Sequence, residues 1–139
     1  MKIKEIQEEI VDEFSMFDDW MERYEYIIEL GKKLPLIKEE FKTENNIIKG
    51  CQSKVWLQGE QTDDKIVFTA DSDAILTKGI IAILIRTFSN QKASDILEAD
   101  LGFIDEIGLK EHLSPTRANG LVSMIKNIKM YALAFNTQN

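Results

Sequence analysis

Cys51 is the only cysteine in this chain of 139 residues, so its thiol is the one sulfur nucleophile that the sequence offers. It follows Gly50 and precedes Gln52 and Ser53, and a strand-like run begins at Lys54. Glycine frees the backbone for turns, and small polar residues favour them, so we expect Cys51 at a loop tip. A thiol on a loop can meet another molecule, although a single cysteine is more often a buried filler.

The charges beside Cys51 bear on its reactivity. Lys49 and Lys54 flank the loop, and nearby positive charge favours thiolate over thiol. A thiolate can attack the outer sulfur of another protein's persulfide and take that sulfur over. This exchange needs one cysteine, an accessible loop and a docking surface, and it needs no bound cofactor. The sequence therefore favours thiol exchange at Cys51.

Two other functions fit the residue types. A small cysteine hydrolase would use Cys51 as nucleophile and His112 as base, with Asp73 or Asn119 as the third group. Alternatively, the chain is an interaction module whose thiol is inert and buried. Turnover of a small substrate by the isolated protein would favour the hydrolase. If Cys51→Ser left every activity unchanged, the interaction module would be favoured.

Composition narrows the class of protein further. A single cysteine excludes an internal disulfide and favours a reducing, cytoplasmic compartment. One cysteine and one histidine are too few for a structural zinc or an iron–sulfur cluster within the chain. No glycine-rich phosphate-binding motif occurs, so nucleotide chemistry has no support. We therefore expect no bound cofactor and no metal.

The distribution of charge and apolar residues bears on partners. Residues 1–45 carry 13 acidic and 7 basic side chains of a chain whose formal net charge is −7. Such a surface repels phosphate backbones and anionic lipid, so we expect neither nucleic acid nor a membrane as partner. The charged N-terminus lacks the apolar core of a signal peptide. The apolar run at residues 79–85 is far shorter than the roughly 20 residues that cross a bilayer.

The elements that must position Cys51 can be predicted from periodicity. Apolar residues at helical spacing predict a first helix ending near Ser15 and a second that Asp18 or Asp19 caps and Gly31 ends. These two should form a hairpin. Residues 36–46 predict an irregular connection to the cysteine loop.

In the middle of the chain the residue pattern changes from the helical period to the period of two that is typical of β-strands. Residues 54–60 and 65–70 predict an antiparallel hairpin with a turn at 61–64, and residues 47–48 could add a third short strand. Residues 57–60 are more polar than a core strand, so the sequence does not decide whether this part of the first strand is buried. Residues 71–73 (DSD) offer caps for an apolar helix that runs to about Phe88 and belongs in the centre.

The last helix should run from Thr116 to about Phe135, because Ser114-Pro115 is a strong helix start. Without repeats or a long linker, the chain predicts one domain over residues 1–139. Its expected class is α+β, with a small antiparallel β-sheet flanked by helices.

Four stretches resemble one known family. Residues 50–56 (GCQSKVW) look like the Gly-Cys-Gln-Ser-x-Val-Trp signature of SufE-type sulfur acceptors. Residues 26–35 (YIIELGKKLP), then 71–74 (DSDA) with 78–79, then 112–117 (HLSPTR) with 120–121 agree in the same order. Four motifs in order across nearly the whole chain make coincidence a poor explanation.

This resemblance implies a fold and a function. The fold would be a helix-flanked antiparallel sheet shared in outline with scaffold proteins of the IscU type. SufE-like proteins accept persulfide sulfur from a pyridoxal-phosphate cysteine desulfurase (SufS-like), raise its turnover and relay sulfur to an iron–sulfur scaffold complex (SufBCD-like). The chain itself would hold no cofactor, only a transient persulfide, and would be a monomer or homodimer.

The resemblance also implies roles for particular residues. Cys51 matches the acceptor cysteine, and the family keeps its cysteine loop tucked against the body until the desulfurase engages it. Arg117 lies in the first turn of its helix, where a cation opposes the helix dipole, so docking or holding the loop is a reasonable role. The matching residues with supporting or docking roles are Gly50, Gln52, Ser53, Asp73, His112 and Arg117.

Overall fold

The computed structural model describes residues 2–136, apart from the side chain of Lys110. In chain order its helices and strands are α1 (Ile3–Ser15), α2 (Trp20–Gly31), β1 (Val55–Thr62), β2 (Lys65–Ser72), α3 (Ile75–Phe88), β3 (Gln91–Lys92), α4 (Ala93–Glu98), α5 (Gly102–Glu106), α6 (Leu109–His112) and α7 (Pro115–Asn136). Two single-turn 3-10 helices, Glu39–Phe41 and Glu44–Asn46, lie in the predicted irregular connection. The α+β class is confirmed.

The sheet is antiparallel, with strand order β1-β2-β3. Its hairpin extends from the Val55–Ser72 pair to the Thr62–Lys65 pair, so the turn is tighter than the predicted 61–64. Asp63 takes a left-handed conformation there with φ 57°, which aspartate tolerates better than most residues. Burial of β1 extends only to Leu57, and the polar residues beyond it are partly or fully exposed.

The third strand is β3, and the expectation of a strand at residues 47–48 is wrong. Ile47 makes a single bridge to Trp56. A 3-10 turn ends immediately before Ile47 and the cysteine loop begins soon after Ile48, so no ladder can form. Instead the chain leaves α3, turns at Asn90 with φ 62°, and pairs two residues with β2.

Helix α3 is the centre of the fold, as its apolar sequence predicts. It packs against β2, α1, α2 and α7, and Ile80 to Ile85 are all at most 8% exposed. Helix α2 crosses it closely at two glycines: a methyl group at Gly31 would lie 2.9 Å from the Gly79 nitrogen. Only glycine permits such a backbone approach.

The expected cap of α3 is wrong. Its N-cap is Ala74, without a side-chain cap bond. The Asp71 carboxylate pairs instead with Lys42 and Lys78, and Asp73 has a different partner, described below. By contrast, Asp19 caps α2 by accepting from the Glu22 amide at 2.8 Å, as predicted.

The outer helices close the core. Helices α1 and α2 meet where the Phe14 and Tyr26 rings pack edge to face at 5.3 Å. Ser114 begins α7 by accepting from the Arg117 amide at 3.3 Å, as expected, and the buried residues of α7 are Gly120, Leu121, Met124, Ile128 and Ala132. No helix within residues 2–136 is long and apolar enough to cross a bilayer.

Candidate functional site

The loop that carries Cys51 is held at both ends by hydrogen bonds. At its start the Ile48 amide donates to the Val55 carbonyl at 2.8 Å. At its end the Lys54 amide donates to the Asp73 carboxylate at 3.1 Å, and the Asp73 amide donates back to the Lys54 carbonyl at 3.2 Å. Asp73 therefore ties the exit of the loop to the segment before α3.

Gly50 allows the chain to turn just before the cysteine. Its φ is +94°, in the region that other residues rarely adopt. A methyl group there would also lie 2.5 Å from the Ser123 hydroxyl oxygen on α7. The backbone conformation thus strongly favours glycine, and the nearby Ser123 hydroxyl would have to move for any larger residue, which gives a physical reason for the Gly-Cys pair.

The turn presses Cys51 against the start of α7. The thiol is half-buried and donates a hydrogen bond to the Gly120 carbonyl, with Sγ and oxygen 3.6 Å apart. Its side chain borders a cleft of about 50 Å³, which is room for only a few water-sized groups. The other residues lining the cleft are Gln52, Ser53, Thr77, Ile80, Thr116, Arg117, Gly120 and Met124.

Burial controls the ionisation of this thiol. It raises the pKa of Cys51 above its ordinary value, because a half-buried thiolate loses part of its hydration. The hydrogen bond to the Gly120 carbonyl is made by the protonated thiol, since a thiolate has no proton to donate. The expectation that Lys49 and Lys54 favour the thiolate is therefore wrong for this conformation, since both lysines are exposed and burial outweighs their charge.

The structure brings four predicted residues to one place. Gln52, Ser53 and Arg117 line the cleft with Cys51. Arg117 is exposed at its rim, in the first turn of α7. A cation there lies beside the thiol without a carboxylate partner among the residues the structure describes, so it is available to a docking molecule.

The hydrolase geometry does not form. The His112 ring stacks on Trp20 with centroids 4.1 Å apart, and the His112 carbonyl accepts from the Tyr24 hydroxyl at 3.2 Å. His112 does not line the Cys51 cleft, nor do Asp73 and Asn119, the other triad candidates. A base that does not border the nucleophile cannot take its proton in this conformation.

Sequence reasoning missed the inner wall of the cleft. Thr77 and Ile80 come from α3, and Met124 comes from α7, one turn beyond Gly120. Thr77 is one of three polar residues that are buried among those the structure describes, with Thr87 and Gln91, and no local pattern distinguishes it from Thr87 on the same helix. Thr116 lies inside the 112–117 motif but was not singled out.

Other features do not compete for the site. Larger grooves, among them three of about 520, 530 and 500 Å³, lie elsewhere and are not lined by Cys51. Among the described residues, no three side chains of histidine, cysteine, aspartate or glutamate are grouped so that they could hold a metal ion.

Fold and site together define a small α+β protein built around one cysteine that a glycine turn places in a narrow cleft. Residues 8–132 match the family described as "SufE: Fe-S metabolism associated domain". The chain belongs to the SufE family. Membership associates it with sulfur transfer in iron–sulfur metabolism.

Similar proteins support the family and the fold. An uncharacterized SufE-like protein of Rhizobium meliloti strain 1021 is 45% identical over 130 residues, which cover 90% of this chain and 93% of that protein. One from Rhizobium etli is 43% identical over 127 residues, covering 88% and 86%. The solution structure of a hypothetical protein from Thermus thermophilus superposes with a TM-score of 0.79 at 18% identity, covering 95% and 96% of the two chains.

Proposed function

We propose that the chain is a sulfur acceptor that takes persulfide sulfur from a cysteine desulfurase onto Cys51 and passes it on to iron–sulfur cluster assembly. The observation that carries this proposal is the Cys51 site itself. A single thiol sits on a tethered loop, in a cleft that Arg117 also lines and His112 does not, and Arg117 has no carboxylate partner within the described part of the chain. That arrangement suits sulfur exchange better than hydrolysis.

The exchange step is balanced without an oxidant. The Cys51 thiolate attacks the outer sulfur of the donor's cysteine persulfide, so a new S–S bond forms on Cys51 as the donor's S–S bond breaks. The donor cysteine leaves as a thiolate, and the proton lost by Cys51 returns to it through solvent or its neighbours. Persulfide is used up on the donor and regenerated on Cys51, with no net redox change.

The resting site holds the thiol in its less reactive form. Burial raises the pKa of Cys51 and so favours the protonated thiol that bonds to the Gly120 carbonyl, and a thiol attacks far more slowly than a thiolate. Docking of the donor must therefore draw the loop out of the cleft. Once exposed to water and to the charges of Lys49, Lys54 and Arg117, the thiol ionises more readily. This coupling limits reaction with stray disulfides.

The proposed partners are those that membership of the SufE family implies. A pyridoxal-phosphate desulfurase of the SufS type is the proposed donor, whose turnover rises as its persulfide is removed. A scaffold complex of the SufBCD type is the proposed recipient. The pyridoxal phosphate belongs to the desulfurase, and the carrier needs no cofactor of its own. We place this exchange in the cytoplasm, where a lone thiol stays reduced.

The direct test is the intact mass of the protein after incubation with a SufS-type desulfurase and cysteine. The wild type should gain one or more sulfur atoms that reductant removes, and Cys51→Ser should gain none. Lack of any gain with several desulfurases would refute the carrier function. Hydrolysis of small esters or amides by the isolated wild type, lost in His112→Ala, would support a hydrolase instead.

A second test concerns docking. Arg117→Ala should weaken desulfurase binding and stimulation while leaving the fold intact, because the side chain is exposed at the cleft rim. Lys65→Ala, which removes an exposed cation at the far end of the hairpin, is the control. Equal effects of the two substitutions would exclude a specific role for Arg117.

A further inference from the structure

We propose that a groove between α1 and the α4–α5 segment docks a basic, amphipathic helix of a protein partner. We call it the acidic groove; it comprises the face of α1 between residues 3 and 12 and the opposite wall between residues 95 and 106. It shares no lining residue with the Cys51 cleft. A partner bound there would leave Cys51 free, so this inference is independent of the sulfur-carrier proposal.

The two walls of the acidic groove are held together by a hydrogen bond between them. Its volume is about 520 Å³. The Gln7 side-chain amide on α1 donates to the Asp100 carbonyl on the other wall at 2.7 Å, and the Gly102 amide donates to the Asp100 carboxylate at 2.9 Å. From Lys4 to Asp12 the α1 wall is about 12 Å long, which matches two turns of a helix laid along it.

Charge is concentrated along the rims of the groove. Among the lining residues that the structure describes, Lys4 is the only basic one, and six carboxylates are exposed, which gives these residues a net charge of −5. The carboxylates belong to Glu8, Asp12, Asp95, Glu98, Asp100 and Glu106. Among the side chains that the structure describes, none of the six makes an ion pair, whereas Glu13 on the same helix is paired with Arg86. Unpaired like charges repel one another, so a cationic partner would relieve that repulsion.

The base of the groove is apolar. Ile3 and Phe103 are buried there, and Val11 and Ala99 are partly buried against the core. Acidic rims above an apolar base are complementary to a helix with one apolar and one basic face. A metal ion is a poor alternative occupant, because no three carboxylates among the described residues are grouped to hold one.

A labelled Leu/Lys amphipathic helical peptide serves as the probe, at about 15 residues so that it can form a helix on binding. Fluorescence anisotropy at low ionic strength measures its affinity, with the Cys51→Ser protein to exclude thiol chemistry. Glu8→Lys/Asp12→Lys reverses two rim charges. Glu40→Lys/Glu44→Lys makes the same change at two exposed acids of the same spacing outside the groove.

Reversal in the groove should weaken peptide binding about tenfold or more, because each attraction becomes a repulsion, while the control pair should weaken it less than about threefold. Val11→Ser removes apolar surface without changing charge and should weaken binding about fivefold. Thermal unfolding checks that each variant is folded. Equal losses in the two charge-reversed variants, or no loss in Val11→Ser, would overturn the proposal. Full competition by spermidine, with no effect of Val11→Ser, would assign the groove to polyamines instead.

Discussion

Gly50→Ala is the sharpest perturbation of the Cys51 site that the structure offers. Position 50 has φ +94°, and an added methyl group would lie 2.5 Å from the Ser123 hydroxyl oxygen. Alanine in the left-handed region costs roughly 1–2 kcal/mol relative to glycine. The hydroxyl can rotate away, so we assign most of the cost to the backbone rather than to the contact.

This cost falls on the closed loop and not on the core. Gly50 is exposed and makes no part of the buried cluster, so strain is released when the loop leaves the cleft. The equilibrium constant for opening should therefore rise about 5- to 30-fold, at tenfold per 1.4 kcal/mol. Because the closed loop belongs to the folded state, the free energy of unfolding falls by the same roughly 1–2 kcal/mol, and the melting temperature should drop by roughly 3–8 °C.

Alkylation of the native protein by iodoacetamide measures this opening. The cleft of about 50 Å³ is too small to admit the reagent beside the thiol, so the rate follows the open population when the loop recloses faster than it reacts. Gly50→Ala should alkylate about 5- to 30-fold faster than the wild type at the same pH. The unfolded proteins should react at equal rates.

Two further variants distinguish backbone strain at position 50 from the contact with Ser123 as the cause of faster alkylation. Gly50→Ala/Ser123→Ala removes the contact with the hydroxyl and should keep most of the increase, since backbone strain remains. Gly102→Ala is the control, because its φ is not in the left-handed region and the added methyl group would lie 3.4 Å from the Asp100 carboxylate, which is an ordinary contact. Alkylation of Gly50→Ala at the wild-type rate would refute the closed-loop description of the site.

Three more predictions test the surrounding fold. Asp73→Asn removes the carboxylate that holds the loop exit; it weakens one exposed hydrogen bond by about 1 kcal/mol, so alkylation of the thiol should rise about fivefold. Glu13→Gln should lower stability at pH 7 by about 1–2 kcal/mol. The hydrogen bond from Arg86 lowers the pKa of Glu13, so this stability is present above the carboxyl's unfolded pKa and lost as pH falls through the folded one. The two proteins should therefore unfold alike in strong acid, and a constant difference in urea midpoints would contradict this. Gly79→Ala should cost more than about 3 kcal/mol because its methyl group would overlap the Ile27 carbonyl; a near-normal melting temperature would show that α2 and α3 can separate cheaply.

The elements with strong local periodicity were predictable from sequence. Helix α1 ends at Ser15 and α2 ends at Gly31, as the spacing of apolar residues indicates. The hairpin, α3 and α7 also lie where their patterns place them. In each case the pattern records which face must be buried, and that information is carried within a few residues.

Predictions that depended on distant partners were the ones that failed. Asp73 is a suitable cap by type, but its carboxylate is taken by the Lys54 amide, which the hairpin brings to it. Residues 47–48 could add a third strand by their sequence, but the third strand, β3, comes from beyond α3. A strand of two residues has no periodicity of its own, so only its pairing with β2 defines it.

The sequence by itself determined that Cys51 lies on a loop, because Gly50 and the residues after it specify a turn locally. Four ordered motifs also determined the family. Only the tertiary structure decided the state of the thiol, since burial against α7 raises its pKa while the neighbouring lysines point to the opposite shift. It also decided that His112 stacks on Trp20 rather than facing the thiol. The charged residues next to Cys51 are visible in the sequence, but the desolvation of its thiol depends on which distant helix covers it.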